Sequence, residues 1–308
     1  MNEGTIVAEG LQFPEGPVAL PDGSVVFVEI AAGRLSQLLP DGKMRVVATP
    51  GGGPNGAAIG PDGSAYVCNN GGFIWHKDPN GGLYPHGRSP DYGGGRIERI
   101  DLETGKIERL YDHSDYGPLS GPNDIVFDGQ GGFWFTDLGN MGERSIERGR
   151  LCYAKSDGSL IRDAGVMMLT PNGIGLSPDE ATLYVAETTT ARVWAFDIAG
   201  PGELKLKTWP TPTPGSMIYA ADQWRMFDSL AVEACGNVCV ATIAPGGITV
   251  LSPSGELVDF ISTPDRSTTN ICFGGESLQT AWITLSRSGR LLRMPWKRPG
   301  LPLNFLNC

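Results

Sequence analysis

The stretch TPNGIGLSPDEATLYVAET (170–188) sets the fold question, because an Asn-Gly pair stands directly before a strand-like run. Asn-Gly usually joins two strands as a tight hairpin turn. Here it opens a phrase instead: a small polar residue, a short apolar run, a turn, then a second β-rich run. The same phrase recurs in FPEGPVALPDGSVVFVE (13–29), GPNGAAIGPDGSAYVCN (53–69), GPNDIVFDGQGGFWFTD (121–137), MFDSLAVEACGNVCVAT (226–242) and TNICFGGESLQTAWIT (269–284).

The polar residues that open the six phrases are Glu15, Asn55, Asn123, Asn172, Asp228 and Asn270, at successive spacings of 40, 68, 49, 56 and 42 residues. A unit of about 40–50 residues with four strands is a β-propeller blade. The first unit spells it out: GPVALP, a DG turn, SVVFVEI, RLSQLLP, a second DG turn and KMRVVAT. The expected architecture is an all-β, six-bladed β-propeller with four antiparallel strands per blade, one domain over 1–308. The last unit supplies three strands, NICFG, TAWITLS and GRLLRMPW, so TIVAEG (5–10) is expected to add the fourth and close the ring.

Composition agrees. Glycine, 44 of 308 residues, is about twice its usual ~7% share, as a turn-rich fold requires. A net charge of −10 argues against a nucleic-acid partner. No apolar run of about 18 residues is present to span a membrane, and the N-terminus lacks a signal-peptide pattern. The six cysteines (Cys68, Cys152, Cys235, Cys239, Cys272, Cys308) are scattered; Cys68, Cys239 and Cys272 sit in apolar runs and read as small hydrophobes, and the set reads as reduced cysteines of a cytoplasmic protein. Nothing in the sequence speaks to oligomeric state.

In a propeller, the first strand of each blade is innermost, so its opening residue sits at one mouth of the central channel. Two carboxylates, Glu15 and Asp228, and four amides, Asn55, Asn123, Asn172 and Asn270, are therefore expected to converge. Close carboxylates repel unless a positive charge lies between them. Oxygen-only ligands suit a hard cation such as calcium, and the absence of His at these positions lowers the case for zinc or copper.

These phrases resemble the gluconolactonase, senescence-marker-protein and luciferin-regenerating-enzyme family, and the resemblance covers nearly the whole chain. It implies a six-bladed propeller with one divalent metal at the channel mouth; the oxygen ligands put Ca²⁺ first, with Mg²⁺, Mn²⁺, Fe²⁺ or Zn²⁺ as alternatives. It implies Glu15, Asn172 and Asp228 as metal ligands, Asn123 completing the shell or touching substrate, and Asp228 as general base. The chain departs from the family at LSGPN, where Ser120 stands near the place of an Arg that grips sugar hydroxyls in the sugar-lactonases.

The long segment 69–95 holds Trp75, His76, Tyr84, His86, Arg88 and Tyr92, and reads as a patternless loop covering the metal or packed on the outer rim. Arg225, close to Asp228, reads as a substrate contact or a surface ion-pair partner. Asn55, Asn123, His76 and Arg225 are the expected substrate contacts. The expected activity is metal-dependent opening of a lactone, a small-molecule substrate, by water that Asp228 deprotonates. The alternatives are a phosphotriesterase-like hydrolase on the same site and a non-enzymatic binding platform with a structural metal. No GxSxG elbow is present, which argues against a serine nucleophile.

Overall fold

The computed structural model describes residues 4–142, 144–208 and 213–307. Strands make up almost all of its regular structure, with one short 3-10 turn at Ile30–Ala32. Blade one is Pro14–Ala19, Val25–Glu29, Arg34–Leu38 and Met44–Ala48, in sequence order from the axis outward. Blade two is Pro54–Ile59, Ala65–Asn69, Arg96–Ile100 and Ile107–Tyr111, and blade three is Pro122–Phe127, Gly132–Asp137, Gly149–Lys155 and Ile161–Met168. Blade four, Pro171–Leu176, Thr182–Glu187, Arg192–Gly200 and Ser216–Ala220, has a short side pairing at Glu203–Leu204. Blade five is Met226–Val232, Val238–Ile243, Gly247–Leu251 and Leu257–Ser262. Blade six joins Thr268–Gly274, Thr280–Leu285 and Arg290–Pro295 to the N-terminal strand Thr5–Ala8, which pairs antiparallel with Arg290–Pro295. The ring closes as the sequence predicts.

The second strands, such as VVFVE and GFWFTD, are buried on both faces because each is covered by the blade before and the blade after. That sandwiching explains their continuous apolar runs where a one-sided sheet would alternate. Polar clamps run around the ring as well. Thr136 Oγ1 of blade three donates to Asn172 O of blade four (2.7 Å), and Ser286 Oγ of blade six donates to Pro14 O of blade one (2.5 Å). Below the mouth, the channel encloses a largely apolar cavity of about 350 Å³ lined by Val18, Ile59, Ile125, Leu176, Leu230 and Phe273, with residues 301–306 across its floor. Asn304 fastens that segment by donating to Phe127 O (3.2 Å) and Glu180 Oε1 (2.5 Å).

The segment 69–95 differs from the patternless loop expected. It forms a hairpin, Phe73–Lys77 paired with Leu83–Arg88. The turn at Asp78–Gly82 is built by Asp78 Oδ1, which accepts from the Asn80 and Gly82 N–H groups. Trp75 packs against Phe13, ring centroids 4.9 Å apart, and Leu83 joins the apolar cluster between blades one and two. Arg287 of blade six pairs with Asp78 at 2.7 Å, and its carbonyl accepts from Leu83 N–H. The hairpin thus leaves blade two, crosses blade one and is tied to blade six. Among the described residues, no helix is long and apolar enough to cross a membrane. Cys68, Cys152, Cys239 and Cys272 are buried and unpaired and Cys235 is exposed; Cys308 lies outside the described residues.

Candidate metal centre at the channel mouth

Each inner strand carries its ring residue at a fault in the ladder. Pairing with the second strand slips between Glu15 and Val18, Pro54 and Ala57, Pro122 and Ile125, Pro171 and Ile174, Phe227 and Leu230, and Thr268 and Asn270. These are β-bulges, which bend a strand and re-aim a side chain. Glycine after the ring residue has a separate cause: neighbouring inner strands crowd the axis. A Cβ on Gly56 would lie 2.4 Å from Asn123 O, and one on Gly173 would lie 2.6 Å from Leu230 N. Asn-Gly here marks close approach of the next blade's backbone, and no hairpin turn is needed to explain it.

The ring residues meet. Asn270 Nδ2 donates to Glu15 Oε2 (2.7 Å), as does Gly16 N–H (2.6 Å). Asn172 donates through Nδ2 to Thr188 Oγ1 (3.0 Å), and its amide lies near Asp228, where it favours the ionised carboxyl. Glu15, Asn55, Asn123, Asn172 and Asn270 are buried, while Asp228 keeps partial access to solvent. Burial raises the Glu15 carboxyl above its ordinary range, offset in part by hydrogen bonds from Asn270, Thr269 and Gly16. Burial likewise pushes Asp228 well up, and the nearby Glu15 charge pushes it the same way.

Three oxygens at this mouth, Glu15 Oε1, Asn123 Oδ1 and Asn172 Oδ1, are buried without a hydrogen-bond partner. Buried oxygens are rarely left so. Acceptor atoms grouped with two mutually repelling carboxylates fit a hard cation that takes oxygen ligands. Among the described residues, no group of three or more His, Cys, Asp or Glu forms a metal cluster, so a cation here would rest on a mixed carboxylate and amide set.

Sequence reasoning missed Asp124, next to Asn123. It is buried, and burial followed by the Glu15 charge lifts its carboxyl to about 7. The only signal was PND standing where two other phrases have PNG. Also missed were the buttresses behind the ring. Glu29, Asn69, Asp137 and Glu187 end the second strands of blades one to four and accept from the backbone N–H groups of Gln12, Gly53, Gly121 and Leu169, two or three residues before the ring positions. Their signal was visible: the phrases end in VFVE, YVCN, WFTD and YVAE.

Two expected substrate contacts lie outside the inner strands. His76 is exposed on the hairpin, stacked with Tyr84 (5.6 Å) and edge-on to His86 (4.7 Å). The Arg225 guanidinium lies 4.9 Å over Phe260, on the outermost strand of blade five, and forms no ion pair among the described residues. Trp224 beside it is 74% exposed.

The sequence from residue 13 to 287 matches the SMP-30/Gluconolactonase/LRE-like region. The chain belongs to this family. It is similar to a gluconolactonase of Zymomonas mobilis, with 28% identity over 310 residues that cover 92% of this chain and 79% of the relative. Among solved structures, a gluconolactonase from Xanthomonas campestris superposes with a TM-score of 0.73 at 21% identity, covering 94% of this chain and 88% of that one. Regucalcin from Agrobacterium tumefaciens, a calcium-binding protein, gives 0.73 at 18% identity over 98% of each chain. At such identities the structural likeness speaks to the fold.

Proposed function

We propose that this protein is a divalent-metal-dependent lactonase, with calcium as its ion. The observation that carries the reading is the set of three unpartnered oxygens, Glu15 Oε1, Asn123 Oδ1 and Asn172 Oδ1, beside Asp228 at one mouth. The gluconolactonase relative supports the substrate class. Glu15, Asn123, Asn172 and Asp228 would hold the ion, which supplies Lewis acidity toward the lactone carbonyl and balances the carboxylates. Asp228, the less buried of the two ring acids by residue, takes a proton from water as its oxygen adds to the carbonyl carbon. It returns that proton to the ring oxygen as the C–O bond opens, giving a hydroxy acid. Glu15 is poorly placed for this role because Asn270 and Gly16 N–H occupy Oε2. Asn55 and Asn123 are proposed to contact substrate from the ring, with His76 and Arg225 farther out.

The test is proton release from a panel of lactones, using chelator-treated protein with single ions restored. Turnover that disappears and returns with calcium is expected. Turnover indifferent to chelation removes the metal from the reaction. A bound ion with no lactone opened moves the substrate to another ester class, such as phosphotriesters.

A further inference from the structure

The unpartnered buried side-chain atoms of the described residues also include two nitrogen donors, Asn70 Nδ2 and Arg225 Nη1. A cation cannot satisfy a donor. Asn70 directly follows the second strand of blade two, which runs antiparallel to Pro54–Ile59 and so ends at the mouth where that inner strand begins. Its N–H donates to Gly53 O (2.8 Å), two residues before Asn55. The residue is 95% buried, at the base of the hairpin Phe73–Arg88. Its Oδ1 accepts from Gly72 N–H (2.9 Å), which fixes the amide's orientation, because a flipped amide would set NH₂ against N–H. The side chain has little freedom to turn: a Cβ on Gly53 would lie 2.1 Å from Asn70 Oδ1. A donor held in one direction with no acceptor is arranged for an oxygen that arrives with a ligand.

We propose that Asn70 is a substrate-binding residue, whose Nδ2 donates a hydrogen bond to a hydroxyl substituent of a lactone bound at the mouth. This rests on the lactonase reading and adds to it a residue that senses a substrate hydroxyl. Asn70→Asp keeps an oxygen for Gly72 N–H and replaces the donor with an acceptor; Asn70→Ser serves if the first variant does not fold. With glucono-δ-lactone, KM should rise on the order of tenfold with kcat within about threefold. With unsubstituted δ-valerolactone, neither constant should move, and the melting temperature should stay near wild type. Unchanged KM for the hydroxylated lactone would mean that Nδ2 is served by water and would overturn the proposal. Equal loss on both lactones, or a fall in melting temperature with kcat, would mark Asn70 as structural and also overturn it. A wild type that opens neither lactone refutes the lactonase reading itself, and the role of Asn70 goes with it.

Discussion

Metal-free protein should show the inverse of the usual effect of pH on stability. Three carboxyls crowd the mouth, and burial raises all of them: Glu15, Asp124 and Asp228. A carboxyl whose folded pKa lies above its unfolded value binds its proton more tightly in the native state, so native stability is greatest below the unfolded pKa and falls as pH rises toward the folded one. For Asp124 the rise from 3.8 to about 7 corresponds to ~4 kcal/mol when fully ionised, of which roughly 2.5 kcal/mol is lost between about pH 5 and pH 8. Glu15 and Asp228 act in the same direction. Carboxyls held low by arginines, such as Glu29 beside Arg34 and Glu233 beside Arg298, are already ionised at pH 5 and do not slope this window. Urea unfolding of chelator-treated protein should therefore show lower stability at pH 8 than at pH 5. Saturating calcium should flatten or reverse the trend, because the ion favours the ionised carboxylates. Metal-free stability that is level or rises with pH would refute the account of the mouth as an unneutralised acid cluster.

Three further outcomes are expected. Asp228→Asn should lower kcat by about 10²–10⁴-fold, read by lactone hydrolysis, because the proton from water then has no carboxylate to reach. Gly173→Ala, with its new Cβ 2.6 Å from Leu230 N and 2.7 Å from Asp228 O, should lose about 1–3 kcal/mol in urea unfolding, because the atoms it meets are backbone of blade five and cannot give way as a side chain would. Arg287→Ala should open the turn at 78–82 to limited proteolysis while the six-bladed core stays resistant, since Asp78 loses its partner on blade six.

The architecture was readable because its signals are local and repeated. Phrases such as PEGPVALPDGSVVFVE hold a strand, a turn and a strand within a few residues, and the register of six copies aligned the ring residues before any contact was known. What escaped depends on neighbours distant in sequence. Asp124 looks like an ordinary strand-start aspartate until Glu15, more than a hundred residues away, is brought near it. The hairpin at 73–88 has weak alternation, and its stability comes from Phe13 and Arg287, in blades that no local pattern links to it. Arg225 stands three residues before Asp228, and only the fold shows its guanidinium lying over Phe260, on another strand of the same blade.

The contact between Asn270 and Glu15 joins residues 255 positions apart, and the same blade takes its outer strand from Thr5–Ala8. Until blade six is assembled, a chain emerging from the ribosome can stack its earlier blades only as an open spiral, with Glu15 held away from Asn270. On the proposed reading, cation affinity is then a property of the finished circle. Calcium uptake during refolding would report the moment of closure, later than any signal from the strands themselves.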